Sequence, residues 1–453
     1  MSESTSIDVQ DFLDEHPISS FQWFLFSLCF LAILLDGFDT AVIGYIAPSL
    51  TTEWNVSRPE LAPVLSAALF GLAAGALLAG PVADRFGRKT MLIASVSVMG
   101  AATLASAFAS SLDQLIVGRF ISGLGLGAAM PSSVTLMSEF CPASRRATLT
   151  NASFCGFPVG AAFGGFLAAW MIPAFGWRSV LVLGGIAPLA LAVAMLFAPE
   201  SLRYMVAKQH PMERIRALMR RISPAVSSTA RISMREVQVA QAGGGLRLVL
   251  SPQYIVGSMM LLFAYFFALI VFYAVVNWMP TLFKDAGVSG STAALISSLF
   301  TLGGCGAILS GWLMDRINAN MVIAAGFIFA AIGIYAIGQS VNNIGLLMAS
   351  VFVGGAFLTT SLTSLPALAA SFYPTTGRAT GVAWMLGFGR FGGVAGSFLV
   401  AELSRRHMTF SQIFMVVALA SLASAAAIIV MQIFHPHARQ RLNAAASSRA
   451  AAH

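Results

Sequence analysis

Hydrophobic residues run through this chain in long blocks. The first extends from Phe21 to Leu50, and others follow at roughly 61–83, 90–110, 114–139, 147–172 and 177–198. After a polar, basic stretch they resume at roughly 253–283, 291–314, 320–339, 343–372, 379–403 and 410–434. Each block has the ~20 residues that a helix needs to cross a bilayer. Lipid offers no partner to a backbone amide or carbonyl, so such blocks are helical, with every group bonded inside the segment. The pattern predicts an all-α membrane protein of twelve transmembrane helices in two six-helix bundles. Its divisions are an N-terminal segment (1–20), a bundle (21–198), a linker (199–252), a second bundle (253–434) and a tail (435–453).

The second bundle repeats the first. At an offset of 232, Phe140, Pro142, Arg146, Ala147 and Thr148 recur as Phe372, Pro374, Arg378, Ala379 and Thr380. Pro48 recurs as Pro280, and Gly160 and Gly164 as Gly392 and Gly396. At an offset of 231, Gly80, Asp84 and Arg85 recur as Gly311, Asp315 and Arg316. Parallel six-helix repeats imply a rocker-type transporter with its site at the interface of the halves near midplane.

Composition agrees and charge adds orientation. Of 453 residues, 57% are hydrophobic and only 10% charged, against about 25% charged in a soluble domain. Mean hydropathy is +0.81. The net charge of +8 could suit nucleic acid, but the Lys and Arg sit in loops. With the N-terminus inside, nineteen fall on the inner side and five on the outer, which puts both termini in the cytoplasm. Residues 1–20 carry five acids and no Lys or Arg, the reverse of a signal peptide's basic start. In the linker, Met212 to Ile222 reads as a basic amphipathic helix on the inner leaflet rather than a calmodulin-type target, and Gly243-Gly244-Gly245 as a flexible joint. The four cysteines show no paired spacing, so neither a disulfide framework nor a metal site is expected. No nucleophile–base spacing appears and no His lies in a span, which argues against an enzyme; no cofactor is expected.

The candidate chemistry lies inside the spans, where ionisable groups are costly and usually functional. Asp36 and Asp39 on the first span are three apart and share a helix face. Arg119, about five residues inside the fourth span, can pair with one of these acids or bind an anionic substrate as a planar fork. Arg390, midway along the eleventh span among glycines, has no local acid. An anionic ligand is its simplest partner, with snorkelling or a first-span carboxylate as the alternatives. The seventh span holds Tyr273, Asn277 and Trp278, open to substrate contact or to packing. The tenth adds Thr359, Thr360, Ser361 and Ser364.

Between the second and third spans, Gly80-Pro81-Val82-Ala83-Asp84-Arg85-Phe86-Gly87-Arg88-Lys89 resembles the loop signature of the major facilitator superfamily. It implies a cytoplasmic latch in which Gly80 permits close contact, Asp84 caps a facing helix, and Arg85 and Arg88 bind carbonyls or lipid phosphate. The second copy keeps Asp315 and Arg316 but lacks the basic ending, so its latch should be weaker. The repeated Arg146 and Arg378 are further gating candidates.

Asp36-Gly37-Phe38-Asp39-Thr40, with Ile43-Gly44-Tyr45-Ile46-Ala47-Pro48 after it, is similar to the first helix of the aromatic acid:proton symporter family. Gly118-Arg119-Phe120, the glycine run to Pro131, and Asn277-Trp278-Met279-Pro280 carry the same resemblance. It implies a bacterial inner-membrane protein that takes up benzoate-type acids with protons. It assigns proton coupling to Asp36 and Asp39, and transport roles to Arg119, Glu139, Arg378 and Arg390, with Glu139 grouped among the coupling acids. The expected partners are a small aromatic carboxylate, protons and the lipid bilayer; nucleic acid is not expected, and a monomer suffices. An exporter of a similar anion and a chemotaxis sensor are the alternatives. Asn277 and Met279 stand where Ser and Leu are commoner, which bears on the ring substituents.

Overall fold

The computed structural model describes residues 6–223, 231–233, 245–306, 310, 313–314, 316–373 and 375–434. Among them, eleven helices are long and apolar enough to cross a membrane. The first half comprises α1 (Val9–Glu15), α2 (Ser20–Glu53), α3 (Arg58–Phe86), α4 (Arg88–Ser106), α5 (Leu112–Glu139), α6 (Ala143–Phe154), α7 (Gly156–Phe175) and α8 (Trp177–Met195). The linker contributes α9 (Leu202–Ala207), α10 (Met212–Ile222) and α11 (Gly245–Val249). The second half is α12 (Ile255–Asp285), α13 (Gly290–Leu302), α14 (Ala319–Gln339), α15 (Ile344–Phe372), α16 (Thr375–Arg405) and α17 (Phe410–Phe434).

These helices match the apolar blocks to within a few residues, because their ends are chemically marked. Ser111 caps α5 by accepting from Gln114 N, Ser289 caps α13 through Thr292 N, and Asn343 caps α15 through Leu346 N. Two predicted spans are less regular than their hydropathy. The fifth divides into α6 and α7 at Cys155, one turn before Pro158, whose nitrogen cannot donate to the Phe154 carbonyl. In the eighth, α13 passes into a 3-10 turn at Gly303–Gly306.

One feature has no counterpart in the hydropathy. Ser6–Asp8 (β1) pairs in parallel with Arg231–Ser233 (β2), with Ile7 opposite Ile232. The pair joins the N-terminal segment to the linker. Asp8 then caps α1 through Gln10 N and Asp11 N.

The chain forms two compact units. One is Met1–Val42 with Ala67–Gln238; the other is Ile43–Ser66 with Val239–His453. The later part of α2 and the start of α3 therefore belong to the second unit. In the first unit, Phe12 and Leu13 of α1, Leu25 and Phe26 of α2, Met99, Leu126, Phe140 and the apolar face of α10 form one core cluster. In the second, Trp278, Phe283, Phe300, Phe327 and Phe414 are fully buried. Leu77, Phe108 and Phe197 are largely exposed, as expected of side chains that meet lipid.

The sequence repeat is also a repeat of contacts within each unit. A Cβ on Gly160 would overlap the carbonyl oxygen of Leu34, and one on Gly392 would overlap that of Phe266. Leu34 and Phe266 are themselves 232 residues apart. In each unit a glycine thus lets two helices meet backbone to backbone.

Candidate transport site

The two first-span acids sit on the part of α2 that lies against α7, at Gly37 and Gly160. Both are buried, Asp36 at 2% exposure and Asp39 at 0%. Arg119, on α5, goes to Asp39. Its Nη1 donates to Asp39 Oδ1 at 3.0 Å, and its Nη2 to the Asp39 backbone carbonyl at 2.8 Å. Thr103 of α4 donates to the same Oδ1 at 2.6 Å. This knot ties α2, α4 and α5 together with no exposed surface on either charged side chain. Oδ2 of Asp39 and Nε of Arg119 have no hydrogen-bond partner. Thr40, one turn along, donates to Asp36 Oδ1 at 3.5 Å. In this arrangement Arg119 is paired with Asp39, one of the two partners left open by sequence.

Glu139 is not brought to the other two acids. It ends α5, twenty residues from Arg119, a separation of about 30 Å along one helix. There it accepts from Ser201 Oγ and lies 3.7 Å from Arg88 Nε. The coupling role that the resemblance assigns to Glu139 therefore falls in the loop cluster, apart from the Asp39–Arg119 pair.

That cluster is the surroundings of the loop signature. Gly87 has φ +101°, and the Glu200 carboxylate occupies the space a side chain would take. Glu200 Oε1 accepts from Lys89 N at 3.0 Å and Ser201 N at 2.9 Å. Arg88 donates to Ala83 O at 3.0 Å and lies over the Tyr204 ring, whose hydroxyl donates to Arg85 O at 2.9 Å. The signature is thus fastened to the start of the linker within the first unit. Glu200, Ser201 and Tyr204 were not singled out from sequence; an acid in a basic linker was the available signal. The surroundings of Gly80, the side chains of Asp84 and Arg146, and residue Asp315 altogether lie outside what the structure describes. Arg316 and Arg378 are exposed.

In the second unit, α12 and α16 carry the other candidates. Asn277 Nδ2 donates to Ser397 Oγ at 2.9 Å, and Trp278 Nε1 donates to the Ser397 carbonyl at 2.9 Å. Both side chains are buried and hold α12 to α16. Ser397 had no sequence signal beyond the small residues around it. Tyr273 is buried edge-on against Phe272, with ring centroids 5.2 Å apart. Arg390 is half-buried, and the ring of Tyr265 covers the α-carbon of neighbouring Gly389. Among the described residues no group of His, Cys, Asp and Glu is placed to hold a metal.

Twelve predicted spans, a parallel repeat and this loop signature converge on one family. Residues 29–397 match the model of the Major Facilitator Superfamily, with an overlapping match over 261–451. The chain belongs to the Major Facilitator Superfamily. It is a multi-pass membrane transporter and not an enzyme. Within the superfamily it stands with the aromatic acid transporters. It is 44% identical over 436 residues to the 4-hydroxybenzoate transporter PcaK of Pseudomonas aeruginosa, covering 95% of this chain and 97% of that one. It is 41% identical over 444 residues to a gallate transporter of Pseudomonas putida, covering 98% of both. The fold is that of the xylose transporter XylE from E. coli, with a TM-score of 0.70 at 18% identity over 89% of this chain and 95% of that one.

Proposed function

We propose that this protein imports a small hydroxylated aromatic carboxylate together with protons across a bacterial inner membrane. The observation that carries the substrate class is the near full-length similarity to transporters of 4-hydroxybenzoate and gallate, both hydroxylated benzoates. Arg390 is the candidate partner of the substrate carboxylate, since a guanidinium can bind a carboxylate through two parallel hydrogen bonds. Tyr273, Asn277 and Trp278 shape the helix that packs beside it. Arg85, Arg88, Arg146, Arg316 and Arg378, with Asp84 and Asp315, are the gating candidates, and Glu139 joins them through Arg88. The excess of Lys and Arg in the linker and its neighbouring loops supports a cytoplasmic position for both termini.

The buried acids supply the proton step. A proton on Asp39 would remove the charge that Arg119 is paired with, whereas a proton on Asp36 leaves that ion pair standing. Asp36 is therefore the carrier, and Asp39 with Arg119 holds the face in place. Neutralising a carboxylate lowers the cost of moving this face through a drier closed state.

The test is uptake of labelled 4-hydroxybenzoate and gallate by proteoliposomes, with and without an imposed inward proton gradient. Accumulation above equilibrium only with the gradient is expected. Accumulation that ignores the gradient overturns the coupling, and binding without flux points to a sensor. Loss of preloaded compound against an inward gradient points to an exporter.

A further inference from the structure

We propose that one flank of α10 binds the headgroup of an anionic phospholipid, with Arg214 and Arg221 as its phosphate ligands. Ile215, Leu218, Met219 and Ile222 of this helix are buried in the core of the first unit, so its orientation is fixed. Arg214 and Arg221, seven residues apart, lie on the same flank, and both are exposed. The Arg221 guanidinium sits over the ring of Phe21, 4.0 Å from its centroid.

Phe21 gives that flank its level. It is the second residue of α2, and Trp23 and Phe24 just beyond it are 50% and 43% exposed. Exposed aromatics at the start of a span occupy the boundary between headgroups and acyl chains. Arg221 is therefore held at headgroup depth, beside a surface that accepts acyl chains. Between Arg203 and Ile222 there are six basic residues and one acid, Glu213. A basic amphipathic helix at this depth attracts anionic lipid. The acyl chains against Trp23 and Phe24 distinguish a lipid from a free phosphate.

The experiment uses the full chain in detergent micelles and titrates a dansyl-labelled phosphatidylglycerol, with dansyl-labelled phosphatidylcholine as comparison. The wild type should bind phosphatidylglycerol more tightly, and 0.5 M salt should weaken it. Arg214→Gln with Arg221→Gln should lower affinity roughly 25-fold, at about fivefold for each arginine. Arg214→Lys with Arg221→Lys should keep most of the affinity, which shows that the fold survives substitution there. Arg405→Gln with Arg406→Gln, the same charge change at another loop, should leave binding unchanged. Equal binding of the two lipids, an unaffected Gln variant, an equal loss in the Arg405/Arg406 variant, or displacement by millimolar inorganic phosphate would each overturn the proposal.

Discussion

Arg58, the first residue of α3, is paired with Asp285, the last residue of α12. Its Nε donates to Asp285 Oδ2 at 2.9 Å, and Nη2 reaches the same oxygen. Nη1 donates to Ser404 Oγ on α16 at 3.2 Å, and neighbouring Lys284 donates to the Pro48 carbonyl of α2 at 2.8 Å. Within the second unit, these contacts clamp α2, α3, α12 and α16 near their ends. The pair is part-exposed, so solvent screening limits it to about 0.2–1 kcal/mol. Asp285→Asn should raise labelling of a cysteine placed at Thr51 about two- to fivefold, in a background lacking the native cysteines, and high salt should do the same to the unmutated clamp. Unchanged labelling would show that the clamp does not hold these helix ends together.

Asp39 and Asp36 should differ on substitution. Asp39→Asn leaves Arg119 buried beside a neutral group, and removing one partner of a buried pair costs about 3–5 kcal/mol. Its thermal midpoint should fall steeply and recover when Arg119→Gln is added. Asp36→Asn should keep the wild-type midpoint and substrate exchange at equal pH while losing gradient-driven uptake. Full accumulation by Asp36→Asn would remove it from the proton step.

Gly160→Ala and Gly392→Ala should do similar damage at repeat-related sites. Each added methyl enters a backbone carbonyl of the facing helix, Leu34 or Phe266, which cannot rotate away. Overpacking of this kind costs about 1–3 kcal/mol or more. The yield of monodisperse protein on size exclusion should drop in both variants. A normal yield from either would mean the helices separate without cost.

Glu200→Gln should loosen the fastening of the loop signature. The carboxylate serves two backbone amides, and hydrogen bonds to a charged group are worth about 1.5–3 kcal/mol. Trypsin should cut at Lys208 several-fold faster than in the wild type. Gly87→Ala should act in the same direction and more strongly, because φ is +101° and the carboxylate fills the space. Equal cleavage rates would place the fastening elsewhere.

Apolar runs of membrane length, their count and their repeat were sufficient to give the fold class and the helix positions, because lipid forces each run into a helix that closes its own hydrogen bonds. The family rested on the resemblance of the loop signature and the first helix. The chemistry of single residues was legible in kind: Asp36, Asp39, Arg119 and Arg390 stand out because charge at that depth is costly. Pairing was not legible. Arg119 chose Asp39, with Thr103 as a third partner, because the packing of α2, α4 and α5 sets which atoms fall within 3 Å. Packing likewise turned Asn277 and Trp278 toward Ser397, and helix length set Glu139 about 30 Å along α5 from Arg119. The pairing of Ile7 with Ile232 and the seat of Glu200 on Gly87 join residues over a hundred positions apart. Periodicity within one helix carries no information about such contacts; only the packing of one helix on another decides them.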